Sequence, residues 1–233
     1  MKLGCPRLHL REIDSTNSRA RELAARGAPH GTLVTAAVQT SGRGRQGRSW
    51  TAPAGRALLC SVLIREPPRL LPLAAGLAVA EVVNKEARLK WPNDVLLGGR
   101  KLAGILVEGR PQEGWAVTGI GVNVAVRQSD FPAELRDRAG TMGLEPSSIE
   151  PTLERLMRSL ERWLSADAGQ VLDAMRARDA LRDKAVSWSG GAGGGGGAGR
   201  GGGIDAQGRL IVLTDGGRVA LDAGEVHLED GLG

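Results

Sequence analysis

The spacing of apolar and polar residues along the 233-residue chain changes several times, and each change marks a predicted element. Leu8 to Ile13 reads as an opening strand. Ser15 or Thr16 can cap a helix running to Arg26, with Gly27 as its stop. Thr32 to Val38 reads as a strand. Ala57 to Ile64 is an almost uninterrupted apolar run, as expected of a buried strand. Leu71 to Glu86 is mostly apolar on every side and predicts a largely buried helix. Arg88 to Trp91, Leu102 to Glu108 and Trp115 to Val124 read as further strands of the same sheet. From Pro151, the residues Leu153, Leu156, Met157, Leu160, Trp163 and Leu164 keep helical spacing, with the proline placed in the first turn. Another helix is predicted over Ala168 to Leu181.

The last fifty residues have a different texture. Ala185 to Trp188, Leu210 to Leu213, Arg218 to Leu221 and Glu225 to Leu228 are short strand-like runs separated by glycine turns, the pattern of a small β-barrel. Between the first two, Gly190 to Gly203 is nearly all glycine. The chain has 35 glycines, about twice the usual frequency. Glycine offers no side chain to pack and loses most entropy on ordering. The tract is therefore expected to be mobile or poorly packed.

Composition narrows the class. Hydrophobic residues make up 41% and aromatics 3%, so a globular core must be built from Leu, Val, Ile and Ala. A net charge of +5 and a pI near 9.8 suit an anionic ligand, an acidic protein partner or nucleic acid. Cys5 and Cys60 have no metal-ligand spacing, and His9, His30 and His227 are scattered. Charges at Lys2, Arg7, Arg11 and Glu12 interrupt any N-terminal signal sequence. The apolar window from Leu70 to Val83 is too short to span a bilayer. The expectation is a cytoplasmic protein without a membrane association.

Chemistry concentrates in Gln39-Thr40-Ser41-Gly42-Arg43-Gly44-Arg45-Gln46-Gly47-Arg48-Ser49-Trp50. Glycines allow close backbone approach, and arginines offer charged planar forks for phosphate and carboxylate. Gly42, Gly44 and Gly47 match a dinucleotide-binding pattern, and Gly42 to Ser49 nearly matches a phosphate loop. Both motifs require a helix to start at the loop. Pro53 and Gly55 forbid one, and a strand follows. Both readings fail on context.

Three further segments accompany this loop: Asp14-Ser15-Thr16-Asn17, Lys90-Trp91-Pro92-Asn93-Asp94 followed by Arg100-Lys101-Leu102-Ala103-Gly104, and Gly119-Ile120-Gly121-Val122-Asn123. In this order the set resembles the biotin protein ligases, from Ser15 to about Leu228. The resemblance implies an α+β fold. A mixed-sheet catalytic domain of the biotin/lipoate ligase type would occupy residues 1–182, and a small SH3-like β-barrel residues 183–233. It implies ATP, Mg2+ and biotin as reactants, with biotinyl-5'-AMP as the intermediate. The protein partner would be a biotin carboxyl carrier protein or domain of a carboxylase. Because the motifs begin at Asp14, no helix-turn-helix domain and no sequence-specific DNA binding are expected. The chain would act as a monomer or homodimer.

The resemblance also implies roles. Ser15, Thr16 and Asn17 would hydrogen-bond the biotin head group, and a capping role for Ser15 or Thr16 is compatible with that. Gln39 would be another biotin contact. Arg43, Gly44 and Arg45 would wrap the biotin carboxylate and the adenylate phosphate. Trp50 would flank the adenine or support the loop. Lys101 would be the central catalytic cation, with Gly104 allowing close ligand approach beside it. Asp94 could orient Lys101, contact magnesium or accept a proton from the incoming lysine. Trp91 and Pro92 would be scaffold, and Asn123 would lie near the nucleotide. A lipoate ligase, a nucleic-acid-binding protein and a non-catalytic biotin-binding module are the competing classes. RNA binding usually needs exposed aromatics, and the chain has no Tyr, one Phe and five Trp.

Overall fold

The structure is a computed structural model, and it describes residues 2–190 and 195–229. Its first sheet has seven strands. These are β1 (Arg7–Ile13), β2 (Leu33–Gln39), β3 (Ala57–Arg65), β4 (Arg88–Lys90), β5 (Asp94–Leu97), β6 (Arg100–Arg110) and β7 (Trp115–Asn123). They lie in the order β1-β2-β3-β7-β6-β5-β4. Only β1 and β2 run parallel, joined through helix α1 (Thr16–Ala25), which makes the sheet mixed.

Strand β3 is buried along nearly its whole length because both faces of the sheet are covered. Leu58, Cys60, Val62 and Ile64 point toward α2 (Leu71–Val83) and α3 (Ile149–Ser165), joining Leu77, Leu156 and Leu160 in the main core. Leu63 points the other way, into a smaller cluster with Ala20 and Ala24 of α1 and Val117 of β7. The alternation of a strand thus divides one apolar run between two cores. Ser61, on the α1 side, is the polar interruption, and it is fully buried.

Two helices stop earlier than their apolar patterns suggest, for one reason. The α2 helix ends at Val83 rather than Glu86, because Asn84 is extended and its Oδ1 accepts from the Glu86 and Ala87 N–H groups. Helix α4 (Ala168–Arg178) ends before Leu181, where Asp179 Oδ1 accepts from the Leu181 N–H at 2.9 Å. In both cases a short polar side chain offers the backbone an alternative to the next helical turn. Strand β5, not anticipated from the pattern, forms a hairpin with β6. Gly98 and Gly99 both adopt positive φ at its turn, as a two-residue hairpin loop demands.

The second sheet is antiparallel and contains β8 (Ala185–Ser189), β9 (Gly196–Ile204), β10 (Leu210–Thr214), β11 (Gly217–Leu221) and β12 (Glu225–Leu228). Their order is β11-β10-β9-β8-β12. The expectation of a poorly packed Gly190–Gly203 tract needs correction. Its second half is the central strand β9, paired with β8 and β10, while residues 191–194 lie outside the described residues. Glycine is required here by close approach: a Cβ on Gly201 would sit 1.9 Å from the Leu181 carbonyl oxygen. The two sheets are tied by Trp91 Nε1, which donates to the Gly208 carbonyl at 3.0 Å, and by Arg176 Nε, which donates to the Ile204 carbonyl at 3.0 Å. Among the described residues, no helix is long and apolar enough to cross a membrane.

Candidate active site

The polar residues at the start of α1 form a closed hydrogen-bonded wall. Ser15 is the N-cap, its side chain accepting from the Ser18 N–H. Thr16 and Asn17 follow, and all three are buried. Gln39, ending β2, accepts at Oε1 from the Thr16 backbone N–H at 2.7 Å and from Thr16 Oγ1 at 2.9 Å. Ser61 Oγ lies 2.8 Å from Thr16 Oγ1 and 2.6 Å from Asn17 Oδ1. The Ser61 hydroxyl has one proton, and Asn17 Oδ1 can only accept, so that proton belongs to the shorter contact. The Asn17 amide donates to the Leu106 carbonyl and to Glu108 Oε2 at 2.8 Å, which fixes its orientation.

Ser15, Thr16, Asn17 and Gln39 line a cavity of about 100 Å3, together with Arg43, Gly44, Arg45, Trp50, Lys101 and Gly104, while Ser61 and Glu108 brace them from behind. A second cavity of about 510 Å3 adjoins it, lined by residues of β4–β5, by the segment from Asp130 to Ala139, and by Glu225, Val226 and His227 of β12. Arg45, Arg48, Ser49, Trp50, Asn93 and Lys101 line both. The junction of the two cavities therefore carries three cations, of which Arg45 and Lys101 lie beside Asn93 and Asp94.

The β5–β6 hairpin sets Asp94 opposite Gly104 and brings the Asp94 carboxylate to 2.7 Å from Lys101 Nζ. Arg45 Nη1 donates to Asn93 Oδ1 at 3.2 Å. Burial pushes the Arg45 guanidinium pKa below its usual value, partly countered by the Asp94 charge. Arg43 is more exposed and pairs with Glu108 at 3.3 Å, beside Arg21. Arg48 forms an ion pair with Glu225, linking the glycine–arginine loop to the second sheet.

The glycines of β6 and β7 have a different neighbour from the one expected. Gly104 and Gly121 face each other across the strand pair, and the Trp50 ring rests on both. A Cβ on Gly121 would lie 2.5 Å from the indole, and one on Gly104 would lie 3.2 Å from it. Gly104 thus makes room for Trp50, and the Lys101 ammonium stands 5.9 Å from the ring centroid. The Trp50 Nε1 proton is buried without a partner among the described residues. Asn123 lines the larger cavity, but its Nδ2 donates to the Gly140 carbonyl at 2.9 Å and so anchors the 138–142 segment. Trp91 is buried and also borders the larger cavity.

All twelve residues singled out from the sequence line one or both cavities. Missed were Ser61, Glu108, Asn93, Lys90 and Glu225. Asn93 and Lys90 stood inside a noticed motif, so a charged or amide residue beside Trp-Pro was a usable signal. Ser61 was legible only as a polar break in a buried run. Cys60, one position away, is fully buried, and its thiol pKa is pushed up to about 12 by desolvation, so it offers no nucleophile near neutral pH.

Comparison with known proteins agrees with this geometry. Residues 10–125 match the profile of the biotin/lipoate A/B protein ligase family, and residues 199–228 match the biotin protein ligase C terminal domain. A biotin–[acetyl-CoA-carboxylase] ligase of Mycobacterium tuberculosis is 36% identical over 241 residues, covering 93% of this chain and 87% of that protein. A bifunctional ligase/repressor of Bacillus spizizenii is 41% identical over 142 residues, covering 56% of this chain; that match takes in 44% of the Bacillus protein, so less than half of its length is represented. The Aquifex aeolicus biotin protein ligase solved with biotin and ATP superimposes with a TM-score of 0.78 at 29% identity, covering 96% of this chain and 98% of that one. The chain belongs to the biotin protein ligase family of the biotin/lipoate ligases.

Proposed function

We propose that the protein is an ATP-dependent biotin protein ligase. The observation that carries this reading is the junction of a small polar cavity with a larger charged one at Lys101, Arg45 and Trp50. The small cavity takes the fused ring of biotin, whose urea group needs donors and acceptors of the kind Ser15, Thr16, Asn17 and Gln39 present. The larger cavity takes ATP. The carboxylate of biotin and the α-phosphate of ATP then meet at Lys101 and Arg45.

In the first step a carboxylate oxygen bonds to the α-phosphorus, and the bond from phosphorus to the bridging oxygen breaks, releasing pyrophosphate. Two anions must approach each other, and Lys101 and Arg45 offset that repulsion while fixing the geometry. Arg43 and Gly44 border the acyl end. In the second step the ε-amine of a carrier lysine attacks the acyl carbon, AMP leaves with its electron pair, and the amine gives up a proton. Asp94, 2.7 Å from Lys101 Nζ, holds that ammonium in place.

Among the described residues, no group of three His, Cys, Asp or Glu side chains could hold a metal ion by itself. Mg2+ would be held chiefly by the ATP phosphates, with Asp94 able to assist through the oxygen that Lys101 leaves free. The ion would supply charge neutralisation on those phosphates. The acceptor is an unmodified lysine of a biotin carboxyl carrier domain, and the setting is the cytoplasm. Residues 1–182 carry the chemistry, and residues 183–233 form the small domain whose β12 borders the ATP cavity.

The test is biotin-dependent exchange of pyrophosphate into ATP, with lipoate and no-acid controls. Exchange with biotin alone is the expected result. Exchange with lipoate in its place would convert the reading to a lipoate ligase, and no exchange with either acid would leave a binding module.

A further inference from the structure

Arg48, Lys90 and Arg138 of the larger cavity have no role in the reaction as drawn. Arg48 is paired with Glu225 and Arg138 is exposed, whereas Lys90, the last residue of β4, is only 8% exposed. Lys90 lines the cavity of about 510 Å3 but not the smaller one, whereas Lys101, Arg45 and Arg48 line both. The nearby Asp94 carboxylate is engaged by Lys101. Among the described residues, the Lys90 ammonium has no ion-pair or hydrogen-bond partner. Its pKa is lowered chiefly by burial and also by Lys101 and Arg48, while the Asp94 and Glu225 charges raise it.

A largely buried lysine that opens onto a cavity without a direct partner is poised for an anion to balance it. Its position says which anion. Lys101 and Arg45 face the atoms that form the new bond, while Lys90 stands on the nucleotide side alone. The apolar part of that cavity, Phe131, Pro132 and Leu135, suits a base and cannot bind phosphate. Asp130, next to Phe131 in that part of the lining, repels phosphate, so the polyphosphate end belongs with the β4 cation.

We propose that Lys90 is a catalytic residue that binds the β- and γ-phosphates of ATP and takes up the negative charge that moves onto pyrophosphate as it leaves. The proposal rests on the ligase reading. As the bond from the α-phosphorus to the bridging oxygen breaks, its electron pair goes to pyrophosphate, and the Lys90 ammonium stabilises that charge without giving up a proton. Its action is confined to the first half-reaction, since AMP is the leaving group of the second.

The experiment uses the full chain and its Lys90→Met and Lys90→Arg variants. Biotin–dependent exchange gives KM for ATP and for pyrophosphate. Transfer from synthetic biotinyl-5'-AMP to a carrier domain reads the second half-reaction alone. Lys90→Met should raise both KM values about tenfold or more, the effect expected for a lost charge-assisted contact, with transfer unchanged. Lys90→Arg should recover most of the loss. Normal exchange by Lys90→Met would overturn the proposal, and so would slowed transfer with normal exchange, which would make Lys90 a partner of the incoming amine.

If Lys90→Met loses both half-reactions, the unaltered protein decides. Pyrophosphate, but not biotin, should protect Lys90 from an amine-acylating reagent, read by peptide mass among the five lysines of the chain; no protection overturns the proposal. Absence of biotin-dependent exchange in the unaltered protein is a separate result, and would defeat the ligase reading itself.

Discussion

The two adjoining cavities are built on opposite principles. In the smaller, Thr16, Asn17, Gln39 and Ser61 are bonded to one another before any ligand arrives. Their orientations are set by helix α1 and strands β2 and β3, which are rigid and packed. In the larger, cations come from separate segments: Lys90 from β4 and Arg138 from an irregular stretch, with Arg48 of the loop bordering both cavities and paired with Glu225 on the second sheet. A rigid hydrogen-bonded wall selects a neutral ring by shape and donor pattern, because an ill-fitting ring leaves buried groups unpaired. A scatter of charges holds a flexible polyanion, and tolerates displacement because charge acts over distance. Damage on the two sides should therefore have different kinetic signatures, and damage at the junction should affect both.

The largest effect is expected at the junction. Lys101→Ala removes a charge that faces the forming bond, and should raise the barrier to adenylation by roughly 3 kcal/mol or more, by analogy with loss of an oxyanion donor. Pyrophosphate exchange at saturating biotin and ATP measures it. An unaltered rate would show that the two cavities do not share a reacting centre at Lys101.

Changes in the wall should be smaller and confined to biotin. A Cβ at Gly119 would lie 2.1 Å from Asn17 Oδ1, and Asn17 is held from behind by Leu106 and Glu108. Gly119→Ala should therefore push Asn17 out of register, at a cost of about 1–3 kcal/mol, the usual range for overpacking. Ser61→Ala removes a single hydroxyl and should cost on the order of 1 kcal/mol. Both costs should appear in biotin affinity by calorimetry, with KM for ATP unchanged. A parallel loss for ATP would erase the distinction between the cavities.

Much of the wall and the junction was legible because the residues that carry them sit in compact local motifs. Asp14 to Asn17 both caps a helix and faces the pocket. Arg43 to Trp50 has a spacing that neither strand nor helix explains. Ser61 was not legible, since its importance comes from Thr16 and Asn17, about 45 positions away. Gly104 was legible only in part: the need for a small residue was clear, but the Trp50 ring that also requires it arrives from a distant loop. The glycine tract shows the same limit in stronger form. Glycine at 201 looks like a failure of packing along the chain, yet it is what lets the Leu181 carbonyl pass close to β9. Local sequence reports torsional freedom, and only the tertiary neighbour shows whether that freedom is used for motion or for contact.

The smallest effect should come from the one ion pair that crosses from the loop to the second sheet. Arg48 and Glu225 bond directly, but their side chains are 54% and 25% exposed. Exposed pairs generally couple by about 0–1 kcal/mol because water and salt screen them. A double-mutant cycle of Arg48→Ala and Glu225→Gln, read as KM for ATP, isolates the coupling from the separate effect of each charge on the cavity. The expected coupling is below about 1 kcal/mol and shrinks as salt is raised through the physiological range. The single Glu225→Gln change should slightly favour ATP, because it removes a negative charge from the cavity wall. A large, salt-insensitive coupling would mean that the second sheet clamps the loop over the nucleotide, and that the ATP side has a rigid wall of its own.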